Sequence, residues 1–186
     1  MRTWLLAHDD SQVRRVATDV LTAAGLNVAS TPHPDDPGVL VARSSHCTRE
    51  KIAELSAGGL RRLVVVVTGE PAHDPWELLA AGAADVLEWG TDGASSLRTA
   101  AARVRRWFQV DRLARADPVT SRLIGESPAW LAALRWLVEI ARFSDASVLI
   151  TGASGTGKEL AARLVHALDP TRGKGQFVIV VRQPHL

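Results

Sequence analysis

The sequence predicts an α/β protein: a five-stranded doubly wound domain, followed by the first part of a second α/β unit built around a phosphate-binding loop. Three observations carry that prediction. Short apolar runs alternate with amphipathic helical patterns as far as about residue 116. The run Leu63-Val64-Val65-Val66-Val67-Thr68 is continuous and β-branched, as in a strand covered on both faces of a parallel sheet. Residues 148–168, VLITGASGTGKELAARLVHAL, read as strand, Gly-rich loop and helix.

Taken in order, Trp4 to Ala7 reads as a buried strand ending at His8-Asp9-Asp10. Ser11 can cap the next helix, where Val13, Val16, Val20 and Leu21 recur at helical spacing. Gly25 ends that helix, and Leu26 to Ala29 gives a second strand. The stretch TPHPDDPG is a loop by its Pro and Gly content. Val39 to Val41 gives a third strand, and Thr48 to Leu55 a helix closed by Gly58-Gly59. After the Leu63–Thr68 strand come a helix from Pro75 to Ala81, a fifth strand at Asp85 to Leu87 and a long helix from Ser95 to Ala116. Parallel neighbours need crossovers, so five strands alternating with five helices are expected.

The long helix places Leu97, Ala101, Val104 and Phe108 on one stripe. Such a stripe suits the packing face of a closing helix, or a brief coiled coil through which the 95–116 helix would form a homodimer. Its arginines suit a solvated face better than a nucleic-acid surface, because no aromatic interleaving accompanies them. Asp117-Pro118 breaks the helix. Three segments are therefore expected: a domain over 1–112, a linker over 113–121 and a second unit over 122–186. The second unit has a capped helix from Ser127 to Phe143, a strand at Val148 to Thr151, the loop, a helix to Leu168 and a strand at Phe177 to Val181.

The bulk composition excludes several classes. With 22 basic and 20 acidic side chains the net charge is +2, too small an excess to argue for a nucleic-acid partner. Cys47 is alone, so no intrachain disulfide can form, which suits a reducing cytoplasm. Neither a signal-peptide core nor an apolar run long enough to span a bilayer is visible, so a cytoplasmic protein with no membrane partner is expected. His8, His33, His46, His73, His166 and His185 show no metal-ligand spacing. Trp4, Trp76, Trp89, Trp107, Trp130 and Trp136 suit packing at core edges.

The chemistry lies in Gly152-Ala153-Ser154-Gly155-Thr156-Gly157-Lys158, which fits G-x-x-x-x-G-K. Glycines let the chain curl until successive N–H groups face one anion, and the following helix adds its N-terminal dipole. Lys158 brings positive charge to the β and γ phosphates of a nucleotide. The alternative is a Gly-rich turn that binds nothing. Glu159 departs from the general motif, standing where Ser or Thr would help hold magnesium. A carboxylate beside phosphates repels them unless it points away.

GxxGTGKE followed by L-A-A-R-x-x-H resembles the sigma-54-dependent transcription activators of the NtrC type, AAA+ ATPases in which Glu follows the lysine. IGESPAW, SDASVLITG, His166, Arg172 and Gln176-Phe177-Val178 agree with that family in order and spacing. Ala153, in place of Glu, and the closing VVRQPHL, in place of V-N-C-A-x-L, depart from it. The resemblance covers residues 122–181 and implies an ATP site. Gly152 to Glu159 would hold the phosphates, and Ile124 and Gly125 would line the adenine pocket. It also implies a role in remodelling RNA polymerase that carries sigma-54. The family's acidic magnesium-binding strand, sigma-contacting loop, sensor arginine and DNA-reading helix-turn-helix lie beyond Leu186. The expectation is therefore a chain truncated early in its AAA+ domain, with no DNA-binding domain and no magnesium ligands of its own. It would bind ATP without significant turnover and hold no catalytic residue.

Residues 1–112 resemble the receiver domains of response regulators, which have the flavodoxin-like fold. Asp9 and Asp10 stand where receivers bind magnesium, but with the acceptor aspartate missing a solvated strand-end pair capping the next helix is the favoured reading. Thr68 stands where receivers keep a hydroxyl. The acceptor aspartate is missing, because Val41-Ala42-Arg43-Ser44 offers Ala or Arg, and Trp89 replaces the expected lysine. Without the carboxylate no aspartyl phosphate can form. The resemblance thus implies a degenerate receiver, and a second reading of the whole chain is a protein-interaction module with a vestigial nucleotide site.

Overall fold

Strand β1 (Arg2–Ala7) lies between two parallel neighbours, β2 (Asn27–Ala29) and β3 (Gly38–Arg43). The computed structural model describes residues 1–7, 11–70, 74–91, 93–116, 119, 125, 127–170 and 175–179. Beyond β3 come β4 (Leu63–Thr68) and β5 (Asp85–Glu88), both parallel, so the sheet order is β2-β1-β3-β4-β5. This is a doubly wound order, with β3 at the sheet centre and β2 and β5 at its edges. Leu63 to Val66 are fully buried, as the unbroken β-branched run predicts.

Helices cover both faces. On one, α1 (Ser11–Ala23) and α4 (Ala94–Ala114) bury Ala17, Leu21, Leu97, Ala101 and Val104 against Leu5, Val39, Val41, Val64 and Val66. On the other, α2 (Arg49–Ser56) and α3 (Pro75–Ala80) bury Ile52, Leu55 and Leu78 against Leu40, Val65 and Val67. The Leu97-Ala101-Val104 stripe is thus spent on the chain's own core. Arg103 fixes α4 to β5 by pairing with Asp85 at 2.8 Å, and the Arg62 guanidinium lies 5.7 Å from the Trp107 ring centroid.

The expectation of five helices is corrected to four in this unit among the described residues. The β2–β3 crossover, residues 30–37, is helix-free; Pro32, Pro34 and Pro37 each remove a backbone donor there. Trp4 fills the space beneath this loop. Its indole is 1% exposed, and Nε1 donates to the Asp36 carbonyl at 3.1 Å. Thr3 Oγ1 donates to the Pro37 carbonyl at 2.8 Å, so both residues tie the loop to β1. Helix α1 begins at Ser11 itself and closes as predicted at Gly25. There φ is +82°, Leu26 N–H reaches the Leu21 carbonyl and Gly25 N–H reaches that of Thr22. A short 3-10 turn, Ser44–His46, follows β3.

The chain divides into two compact units, Met1–Gln109 and Val110–Leu186. The second core begins inside the final turns of α4, at Val110. Val110, Ala114 and Val119 pack with Leu134, Leu137 and Val138 of α5 (Pro128–Phe143) and Leu164 of α6 (Lys158–Leu168). Ser127 caps α5, its hydroxyl accepting from Trp130 N–H at 3.2 Å. Asp111 also joins this unit through Arg135 at 2.9 Å.

The strand expected at Val148 to Thr151 does not form, and residues 177–179 of the expected 177–181 strand are likewise irregular; residues 180 and 181 lie outside the described set. A strand is defined by its ladder, and among the described residues the only ladders are those within the β2-β1-β3-β4-β5 sheet. Leu149 and Val178 accordingly stay 86% and 72% exposed.

Candidate nucleotide-binding site

The loop Gly152 to Gly157 leads directly into α6. Gly155 and Gly157 have φ of +79° and +77°, a left-handed conformation that costs glycine little and any side chain more. Gly157 is the N-cap of α6 and brings no side-chain cap. Helix geometry leaves the first-turn N–H groups without partners inside the helix, so this end is suited to receive an anion. Residues 152–156 are exposed, whereas Gly157 and Lys158 are half-buried.

Lys158 folds back across the loop. Its ammonium donates to the carbonyl of Gly152 at 3.0 Å and to that of Ala153 at 2.6 Å. Thr156 Oγ1 donates to the same Ala153 carbonyl at 2.8 Å. These bonds hold the cation against the backbone of the loop. Glu159 points away from the loop, with Arg163 Nε donating to its Oε1 at 2.9 Å. The carboxylate that looked incompatible with phosphate is thereby neutralised one helical turn away.

A cavity of about 420 Å³ adjoins the loop, lined by Thr151, Gly152, Thr156, Gly157 and Lys158 and, on its apolar side, by Trp130 and Trp136. Ala153, Ser154, Gly155 and Glu159 do not line it. Gly125 lies against Trp130, since a Cβ there would come within 2.4 Å of the indole Cδ1. It is not among the cavity-lining residues, and Ile124 lies outside the described set. The donor set therefore fits the phosphates of a nucleotide. It offers no metal cage: no group of three or more His, Cys, Asp or Glu that could hold an ion occurs among the described residues.

Sequence reasoning missed Arg163 and Phe177 as neighbours of this site. The Glu159–Arg163 spacing of four was a readable signal for the first. The second was hidden, because Phe177 lies outside the helix that carries the guanidinium, which stands 4.8 Å from its ring centroid.

In the front unit, β3 ends on Ala42, 1% exposed within the core, and on Arg43, paired in register with Thr68 of β4. The end of β3 thus presents no carboxylate. Trp89, at the place of the expected lysine, packs against the core, and its indole leaves no room for a Cβ at Gly93. Asp9 and Asp10 lie outside the described residues.

The class defined by fold and site is a receiver-like α/β domain followed by a loop of P-loop sequence and its helix. Residues 123–182 match the Sigma-54 interaction domain family. The chain is 30% identical over 190 residues to the DNA-binding transcriptional regulator NtrC of Klebsiella pneumoniae, a match covering 94% of this chain and 40% of that protein. It is 42% identical over 94 residues to the response regulator protein PilR of Pseudomonas aeruginosa, covering 50% of this chain and 20% of that one. Among solved structures, NtrX from Brucella abortus in complex with ADP shares the fold at a TM-score of 0.51 and 21% identity, over 98% of this chain and 45% of that one. The chain is a relative of the sigma-54-dependent activators of the NtrC type, and it spans about 40% of the length of the NtrC it matches.

Proposed function

We propose that the backbone of Gly152 to Glu159 and the Lys158 ammonium hold the phosphates of ATP and that the chain serves sigma-54-dependent transcription, with sigma-54 RNA polymerase as the partner, as in full-length relatives. The observation that carries the nucleotide reading is Lys158, held across a left-handed glycine loop at the uncapped start of α6. The chain's own residues supply binding and orientation. Backbone N–H groups at the start of α6 face the anion, Lys158 exchanges its two carbonyl contacts for phosphate oxygens, and Gly155 and Gly157 keep the curl open. Trp130 and Trp136 offer an apolar wall beside the loop, and Gly125, proposed with Ile124 for the adenine, lies against Trp130. The nucleotide supplies the phosphoanhydride whose hydrolysis drives remodelling in AAA+ proteins; no described residue is assigned to that step. Titration calorimetry with ATP tests the reading: saturable binding by wild type and its loss in Lys158→Ala support it, and equal behaviour of the two proteins contradicts it.

For the front unit, the buried Ala42 and the exposed Arg43 at the end of β3 favour a protein-interaction role over phosphate acceptance. Incubation with acetyl phosphate should leave no hydroxylamine-labile phosphate on the chain; such a label would contradict this role.

A further inference from the structure

Glu159 sits one residue beyond Lys158 in the first turn of α6, and a carboxylate there has two competing destinations. A free one is drawn to the same first-turn N–H groups and to the same ammonium as a phosphate would be. In the structure it takes the other destination. Arg163 holds Oε1 through Nε at 2.9 Å and Nη2 at 2.7 Å, with the acid N-terminal to the base, the favourable order on a helix. The guanidinium in turn lies over Phe177, 4.8 Å from the ring centroid, and His166 meets that ring edge-on with centroids 5.6 Å apart. Arg163 is therefore gripped on one side by the carboxylate and on the other by a ring from beyond the helix.

We propose that Arg163 is a positioning residue for phosphate binding: it draws the Glu159 carboxylate off the P-loop, and Phe177 keeps the guanidinium in place to do so. The inference rests on the nucleotide reading given above. Both side chains are about half exposed, 47% for Arg163 and 59% for Glu159, so the effect on affinity is modest.

The test is ATP titrated into the full 186-residue chain at low ionic strength, with wild type, Arg163→Ala, Glu159→Gln and the double variant. Arg163→Ala should weaken binding by about two- to fivefold, the range an exposed ion pair supports. The double variant should return to the wild-type Kd, because no stray carboxylate remains to compete. Glu159→Gln, which leaves the backbone N–H of that residue in the loop, should bind as tightly as wild type or more tightly, and a weaker Glu159→Gln protein overturns the proposal even where Arg163→Ala fails to fold. High salt should shrink the Arg163→Ala penalty. An Arg163→Ala protein that binds like wild type, or a double variant as weak as the single one, overturns the proposal. A wild type that binds no ATP overturns the nucleotide reading instead.

Discussion

The Trp4 indole packs against its cross-strand partner Gly38, so close that a Cβ on Gly38 would fall 1.9 Å from the ring atom Cζ2. The pair replaces a crossover helix. The loop over residues 30–37 covers this part of the sheet only because Trp4 fills the volume beneath it and bonds to Asp36. Gly38→Ala should therefore force the indole out and destabilise the fold by about 2 kcal/mol or more, by overpacking. Urea denaturation measures it, and a change under about 0.5 kcal/mol, the range of neutral surface changes, would contradict the account.

Ala57 closes α2 in the left-handed region at φ +49°, with Gly58 N–H on the Ala53 carbonyl and Ala57 N–H on that of Glu54. That position normally belongs to glycine. Ala57→Gly removes a steric cost of about 1–2 kcal/mol and adds unfolded-state entropy worth somewhat less. A net gain of about 0.5–1 kcal/mol is expected, read as a higher urea midpoint at unchanged slope. A lower midpoint would show that the left-handed geometry is not retained in solution.

Much of this was legible in the sequence because the signals are local. The β4 run, the Gly25 cap and the start of α6 at Lys158 each rest on a few adjacent residues. The missing strands at 148–151 and 177–179 show the opposite case. Their apolar residues state a preference for burial, but a strand also needs a ladder partner, which no local pattern supplies. At the site, the loop and Lys158 were readable from spacing. The fate of Glu159 was half-readable, through Arg163 at four residues, while Phe177 reaches the same guanidinium from a segment that spacing does not connect.

Cys47 is fully buried, its thiol directed to the Ala42 carbonyl at 3.8 Å, and burial pushes its pKa up to about 11. The folded value lies above the unfolded one, so the unfolded chain loses this proton first as pH rises. Stability should fall from about pH 9 to about pH 11, by at most about 1.4 kcal/mol per unit from this group. The chain has no tyrosine to obscure the slope. Denaturation midpoints across that range should flatten in Cys47→Ala relative to wild type. An unchanged slope in the variant would assign the alkaline loss elsewhere.

The central claim is that Gly152 to Glu159 form a phosphate cradle closed by Lys158. It is tested most directly by the Tm of the chain with ATP, ADP or adenosine. A ligand at one hundred times its Kd stabilises by about 2.7 kcal/mol. ATP and ADP should therefore raise the Tm by several degrees and adenosine should not, with the shift lost in Lys158→Ala. An equal shift with adenosine, or one that survives Lys158→Ala, would contradict the account.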